Sequence, residues 1–178
     1  YSTSDTSLYF FYDMIALERH IGREAIWERY GDVMKEILEA YASDPSGRGV
    51  VMHDNGLIWA DGGGRPLTWM DGRVDGKAVT ERRGYQVEVN ALWHTAVCYT
   101  LELARQFCDR DTIEKWDGLP ERIRESFAAT FWLDDGYLAD YVNEEEVSRL
   151  VRPNQVLACS TTYPLLDEVQ TISLLATI

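Results

Sequence analysis

Apolar residues return every three or four positions over most of this chain, a period that suits helices packed along one face. Leu8, Phe11 and Ile15 make one such stripe. Ile26, Tyr30, Val33, Ile37 and Tyr41 make a second, with His20-Ile21-Gly22 as the break between the two. Asp5 stands where a capping side chain would open the first helix, and "SDPSG" at Ser43 to Gly47 closes the second. Leu92, Ala96, Tyr99 and Leu103 share a face that starts near Val87 and ends near Cys108. Leu119-Pro120 opens a further helix striped by Ile123, Phe127 and Phe131, with its proline in the first turn where no N–H is needed. "RPNQVLACS" starts another with Pro153 early, and Asp167 with Gln170 forms a capping-box pattern for the last.

The helical pattern is interrupted between Gly49 and Gly84. Asn55-Gly56 between two short apolar runs predicts a two-residue β-hairpin turn, because both residue types tolerate positive φ. This makes a hairpin insertion near 50–70. It runs into "GGGRPLTWMDGR", Gly62 to Arg73, a turn-rich stretch that nevertheless carries Trp69 and Met70, and then into the charged "VDGKAVTERRG". Long ordered excursions of this kind are often functional. Later, "LDDGYLADYV" predicts a turn and a short strand. Helix pairs with loops gathered on one side predict an all-α fold of the α/α toroid type, with inner and outer rings. A plain helix bundle shares the same periodicity.

Composition narrows the partners. A net charge of −13 argues against nucleic acid and against anionic membrane surfaces, since nothing offsets phosphate repulsion. No apolar run is long enough to span a bilayer. Six tryptophans and ten tyrosines suit stacking on sugar faces as well as core packing. Cys98, Cys108 and Cys159 form no Cys-x-x-Cys pair, which suggests reduced thiols in a cytoplasmic setting. With His20, His53 and His94 they make no zinc-ligand spacing. "GRVDGK" is one residue short of a phosphate loop and has Ala78 where the magnesium-binding hydroxyl belongs. His94, on a helix with no matched nucleophile, reads as a packed histidine. The ends, without an initiator methionine and closing on "TISLLATI", read as an internal slice, so that 1–178 is expected to be part of a larger domain.

Three carboxylates stand out by position. Asp5 lies beside Tyr9 and Phe10, Asp71 follows Trp69-Met70, and Glu88 precedes Leu92-Trp93 by one turn. A carboxyl group beside apolar rings loses hydration and its pKa rises, which is the tuning a general acid needs at neutral pH. From local sequence alone, Asp71 reads first as a loop or capping residue.

"YSTSDTSLYFFY", "DNGLIWADGG", "TWMDG", "VEVNALWHTAV", "RPNQ" and "YPLLD" occur in this order. Together they resemble the amylo-α-1,6-glucosidase domain of glycogen debranching enzymes, over essentially the whole chain. That family is similar to glucoamylases, and the resemblance implies an (α/α)6 barrel and an inverting hydrolase that releases glucose from α-1,6 branch points. It implies that Asp71 is the general acid, with Thr68 orienting its loop and Trp69 lining the sugar subsite. Asp5, Glu88, Asn90 and Trp93 match positions around the barrel mouth. Arg152 and Asn154 match the Arg-Pro-Asn-Gln motif, in a role of sugar contact or helix-start structure. An α-glucan, glycogen or limit dextrin, is the implied partner, together with the remainder of the barrel. No metal or cofactor is implied. Ser2, Tyr9 and His94 stand where the family usually has Asn, Trp and Tyr. The family's upstream Trp-Gly-Arg-Asp segment and its downstream general-base Glu have no counterpart here, so the base is expected outside this chain and the slice alone is expected to be inactive. A noncatalytic glycan-binding or structural α/α domain, or a related α-glucosidase of different linkage preference, are the alternatives.

Overall fold

Gly22 decides the first bend. α1 (Thr6–Ile21) stops where Gly22 takes φ 82°, its N–H donating to Glu18 O at 2.9 Å, and α2 (Arg23–Ser43) starts at the next residue. A left-handed residue there is cheap for glycine, which carries no Cβ. The structure is a computed structural model and describes residues 3–44, 47, 49–65, 67–70 and 72–178. Asp71 lies outside the described residues, as do Ser2 of the opening motif and Pro45-Ser46 of the helix-ending "SDPSG".

α1 buries Leu8, Phe11 and Met14, close to its expected stripe. α2 is rotated from its expected stripe. It buries Ile26, Gly31, Met34, Leu38 and Tyr41, while Val33 is 41% exposed. Residues 30/33/37 and 31/34/38 carry the same helical spacing, so periodicity left both faces open and packing against α1 and the rest of the core chose between them.

The hairpin expected near 50–70 is present and forms half of a larger sheet. β1 (Val50–Met52) pairs antiparallel with β2 (Ile58–Ala60), across a five-residue loop rather than a two-residue turn. In that loop only Gly56 has positive φ, and the Asn55 side chain accepts from the Leu57 N–H at 3.0 Å. The two-residue turn with two positive φ values occurs instead at Asp75-Gly76, joining β3 (Arg73–Val74) to β4 (Lys77–Ala78). β5 (Gly84–Gln86) then returns to pair with β2.

α3 (Val87–Gln106) follows directly and is the axis of the molecule. Every residue from Val87 to Val97 is buried, not just the face bearing Leu92 and Ala96. α1, α2, β5, α4 (Arg110–Trp116) and α5 (Leu119–Phe131) all pack on it. α4 had no clear signal in the sequence. It starts at Asp109, whose side chain accepts from the Thr112 N–H at 3.1 Å. β6 (Tyr141–Val142) completes a sheet of order β1-β2-β5-β6. The Arg-Pro-Asn-Gln motif opens a 3-10 turn, Pro153–Val156, that leads into the short α6 (Leu157–Ser160). α7 (Glu168–Thr177) has the expected capping box and leaves Val169, Ile172 and Leu175 exposed. Among the described residues no helix is long and apolar enough to cross a membrane.

A helix buried all round has to satisfy its polar side chains internally. The Thr95 and Thr100 hydroxyls donate to the Ala91 and Ala96 carbonyls one turn back. His94 Nδ1 lies 3.1 Å from Tyr163 O, which can only accept, so Nδ1 carries the proton. Nε2 is then the acceptor for the Cys98 thiol at 3.4 Å. Burial, helped by Arg124, pushes His94 down to about 4, and burial pushes the Cys98 thiol up to about 11.

Two outcomes follow. Met34→Ala is expected to cost about 2–5 kcal/mol by leaving a core cavity, and Val33→Ala less than about 0.5 kcal/mol. Urea unfolding of both variants checks which face of α2 is packed. His94, held neutral in the fold, contributes stability that is complete above its unfolded value near 6.5 and is lost as pH falls toward 4. Over that window the wild type is expected to lose up to about 3 kcal/mol more than His94→Gln, read from urea midpoints at pH 7 and pH 4.5.

Candidate functional site

The turn-rich stretch at Gly62 to Arg73 is tied to the rest of the molecule at successive residues. Gly62 O accepts from the Arg65 N–H at 3.2 Å and from Arg65 Nε at 2.9 Å, closing a tight turn. Leu67 is buried, and its carbonyl accepts from the Ser4 N–H at 2.5 Å and the Ser4 hydroxyl at 2.9 Å. Thr68 is buried, and its hydroxyl accepts from the Met70 N–H at 3.3 Å. The Trp69 N–H donates to Asp5 Oδ2 at 2.8 Å, and the Trp69 indole Nε1–H donates to Asn154 Oδ1 at 3.0 Å. Trp69 is thus fixed by its backbone and by its indole edge, while the residue stays 55% exposed.

Asp5 therefore does other work than expected. It occupies the N-cap position of α1, but its side chain makes no cap hydrogen bond and is spent on Trp69. The turn is closed by the Asp5 carbonyl, which accepts from the Leu8 and Tyr9 N–H groups.

Beneath Trp69 lies a buried charge cluster. Asn154 Nδ2 donates to Asp140 Oδ1 at 2.7 Å and lies 3.5 Å from Met70 Sδ. Asp140 Oδ2 receives Arg152 Nη1 at 2.6 Å and lies 2.8 Å from Arg82 Nε. Arg82 Nη2 also donates to Asp140 O at 2.8 Å and to Glu88 Oε2 at 2.7 Å, and Arg82 Nη1 closes a second bond to Glu88. The Arg82 and Asp140 side chains are almost fully buried and that of Glu88 entirely so. Two guanidinium groups face two carboxylates, so the cluster is formally neutral. Burial opposes the Arg82 cation, but its contacts with Glu88 and Asp140 win and raise its pKa. Burial raises the Glu88 carboxyl above its ordinary value, against the pull of Arg82.

The structure thus gathers Asp5, Thr68, Trp69, Arg152 and Asn154 in one place, and reaches Glu88 through Arg82 and Asp140. Asn90 and Trp93 are elsewhere. Both are fully buried and serve the β1–β2 hairpin. Asn90 accepts from the Ile58 N–H at 2.7 Å and donates to the Ile58 and Gln86 carbonyls. Trp93 donates to Gly56 O at 3.0 Å and stacks on Tyr41. Among the expected subsite residues, only Trp69 offers a largely exposed face.

Sequence reasoning missed Arg82, Asp140 and Ser4. Arg82 sits in "TERRG", which reads as solvated charge, and Asp140 sits in a segment read as turn and strand. No local pattern tells either from a surface residue, because the bond that joins them spans 58 residues of chain.

A model of a protein family described as amylo-alpha-1,6-glucosidase matches residues 1–178 of the chain. No curated protein matches it.

Proposed function

The chain belongs to the amylo-alpha-1,6-glucosidase family, and from that premise we propose that it carries the acid-bearing part of an inverting glucosidase acting on α-1,6 branch points of an α-glucan. The supporting observation is Trp69. It stands 55% exposed on a loop otherwise pinned to buried groups, two residues before Asp71. An indole clamped at its backbone and its N–H edge is a sugar-stacking platform that needs little further ordering when the ligand arrives.

In this reading Asp71 protonates the glycosidic oxygen of a single α-1,6-linked glucose. A second carboxylate, supplied outside these residues and about 6.5–9.5 Å from the acid, activates water on the opposite face. The C–O bond breaks as water adds, and glucose leaves with inverted anomeric configuration. Proton transfer between carboxylates and water calls for no metal or organic cofactor. The helices belong to a six-hairpin toroid, and the Trp69 loop lies at its mouth. Asp5 holds the loop backbone, and the cluster under Asn154 forms the floor.

Asp71→Asn in the full-length protein keeps the side-chain shape and removes the proton. Glucose release from a branched limit dextrin is expected to fall by about 10²–10⁴-fold, the range typical of general acid catalysis. NMR of the first-formed product is expected to show β-glucose from the wild type. Near-normal release by the variant would sink the acid assignment. Oligosaccharide binding without glucose release by the wild type would favour a glycan-binding domain instead.

A further inference from the structure

The acceptors and donors beneath Trp69 have a fixed polarity. Asp140 is met on its side-chain oxygens by donors alone: Arg152 Nη1 at 2.6 Å, Arg82 Nη2 at 3.1 Å and Asn154 Nδ2 at 2.7 Å, with Arg82 Nε 2.8 Å away in an ion-pair contact that makes no hydrogen bond. It must therefore be the carboxylate. Asn154 then has no choice of orientation. Its NH₂ faces Asp140, which leaves its carbonyl oxygen for the Trp69 indole N–H at 3.0 Å. Asn154 is only 3% exposed, so solvent offers neither end of the amide another partner.

We propose that Asp140 is a positioning residue that sets the orientation of the Trp69 ring through the Asn154 amide. The proposal rests on the glucosidase reading for what the ring does to substrate. The relay itself stands on the hydrogen-bond polarity alone.

The consequence of removing the charge can be followed atom by atom. In Asp140→Asn the new amide keeps its oxygen at the Oδ2 position, toward Arg152 Nη1 and Arg82 Nε, because an NH₂ there would face both; an NH₂ at the Oδ1 position meets one guanidinium donor, Arg82 Nη2, which keeps its bonds to Glu88 and to the carbonyl of residue 140. Its NH₂ then points at Asn154, which must turn over and present its own oxygen. The Asn154 NH₂ now faces the Trp69 indole N–H, donor against donor, and the indole loses its bond. The Trp69 backbone stays tied to Asp5, so the loop path is kept and the ring orientation is lost.

The reversed arrangement restores the pattern. In the double variant Asp140→Asn/Asn154→Asp, the Asn NH₂ at 140 donates to one oxygen of the new carboxylate. The other oxygen accepts from the Trp69 indole. The formal charge of the cluster is the same as in the wild type.

The test uses the full-length protein and two readouts: the indole ¹H–¹⁵N resonance of Trp69, assigned with Trp69→Phe, and kcat and KM for glucose release from a branched limit dextrin. Asp140→Asn is expected to shift the resonance and to lower kcat/KM by about 10- to 100-fold, the scale set by misplacing a substrate-positioning group. The double variant is expected to recover most of both. In the Trp69→Phe background, Asp140→Asn is expected to change kcat/KM by less than about twofold, because coupled residues are not additive. A double variant no better than Asp140→Asn overturns the relay, since a purely structural ion pair would not be repaired by moving the carboxylate. So does an unmoved indole resonance. Should Asp140→Asn fail to fold, Asn154→Leu carries the test. It leaves Asp140 with both arginines and removes the relay, so an unshifted resonance there overturns the proposal and a shifted one supports it. If the wild type releases no glucose, the glucosidase reading fails while the resonance still decides the relay.

Discussion

The Arg82 guanidinium is out of water, and much of the molecule around it follows from the need to match it. An unpaired buried cation would cost several kcal/mol or more. Glu88 answers it from the first turn of α3, and Asp140 answers it from the residue before β6. Two neighbouring segments, the approach to β5 and the start of the central helix, are thereby tied to a remote one, the edge of the sheet. Arg82 also accepts a local bond, its carbonyl receiving Gln86 Nε2 at 2.6 Å. Such a cluster adds little net stability over a hydrophobic core of the same shape, but losing one member leaves a buried charge alone. It therefore fixes geometry more than it adds free energy.

That fixed geometry is passed outward on two sides. On one side Asn90 and Trp93 of α3 hold the β1–β2 hairpin by its backbone, and β2 of that hairpin pairs with β5, the strand that follows Arg82. On the other side Ser4 and Asp5, just before α1, hold Leu67 and Trp69. Tyr41 of α2 donates to Ser4 O at 2.8 Å, which anchors that short segment in turn. The loop bearing Trp69 is thus suspended between the first helix pair and the charge cluster. Its glycines allow the tight turn at Gly62, and its position is set from outside the loop.

Much of this frame was legible in the sequence. Helical periodicity located α1, α2, α3 and α5, the capping-box pair at Asp167 and Gln170 marked the start of α7, and the ordered motifs led to the family. Periodicity did not decide which face of α2 is packed, because its two candidate stripes differ by a one-residue rotation. Turn chemistry identified the right residue types but assigned the two-residue turn to Asn55-Gly56 instead of Asp75-Gly76. The candidate site residues are those that lie in motifs. Their contacts were not legible, because burial and partner identity are long-range properties. Asp5 reads as a helix cap until Trp69 is seen against it, and Glu88 reads as a mouth carboxylate until Arg82 is found on both its oxygens.

The contrast between Trp69 and Trp93 shows what the arrangement achieves. Both indoles donate from Nε1, to Asn154 and to Gly56 respectively. Trp93 is sealed between Tyr41 and Trp116, and its ring is part of the core. Trp69 has the same two side-chain torsions to fix, but no core around it. An exposed ring held only by its own packing would sample several rotamers, and ordering it on binding would cost on the order of 1 kcal/mol. The Asn154 bond limits that freedom in advance, and Asn154 is itself oriented by the Asp140 side chain, which accepts from its NH₂. A polar cluster of small net stability beneath an open aromatic face is thus the economical way to keep a ring rigid and still leave it exposed to a ligand.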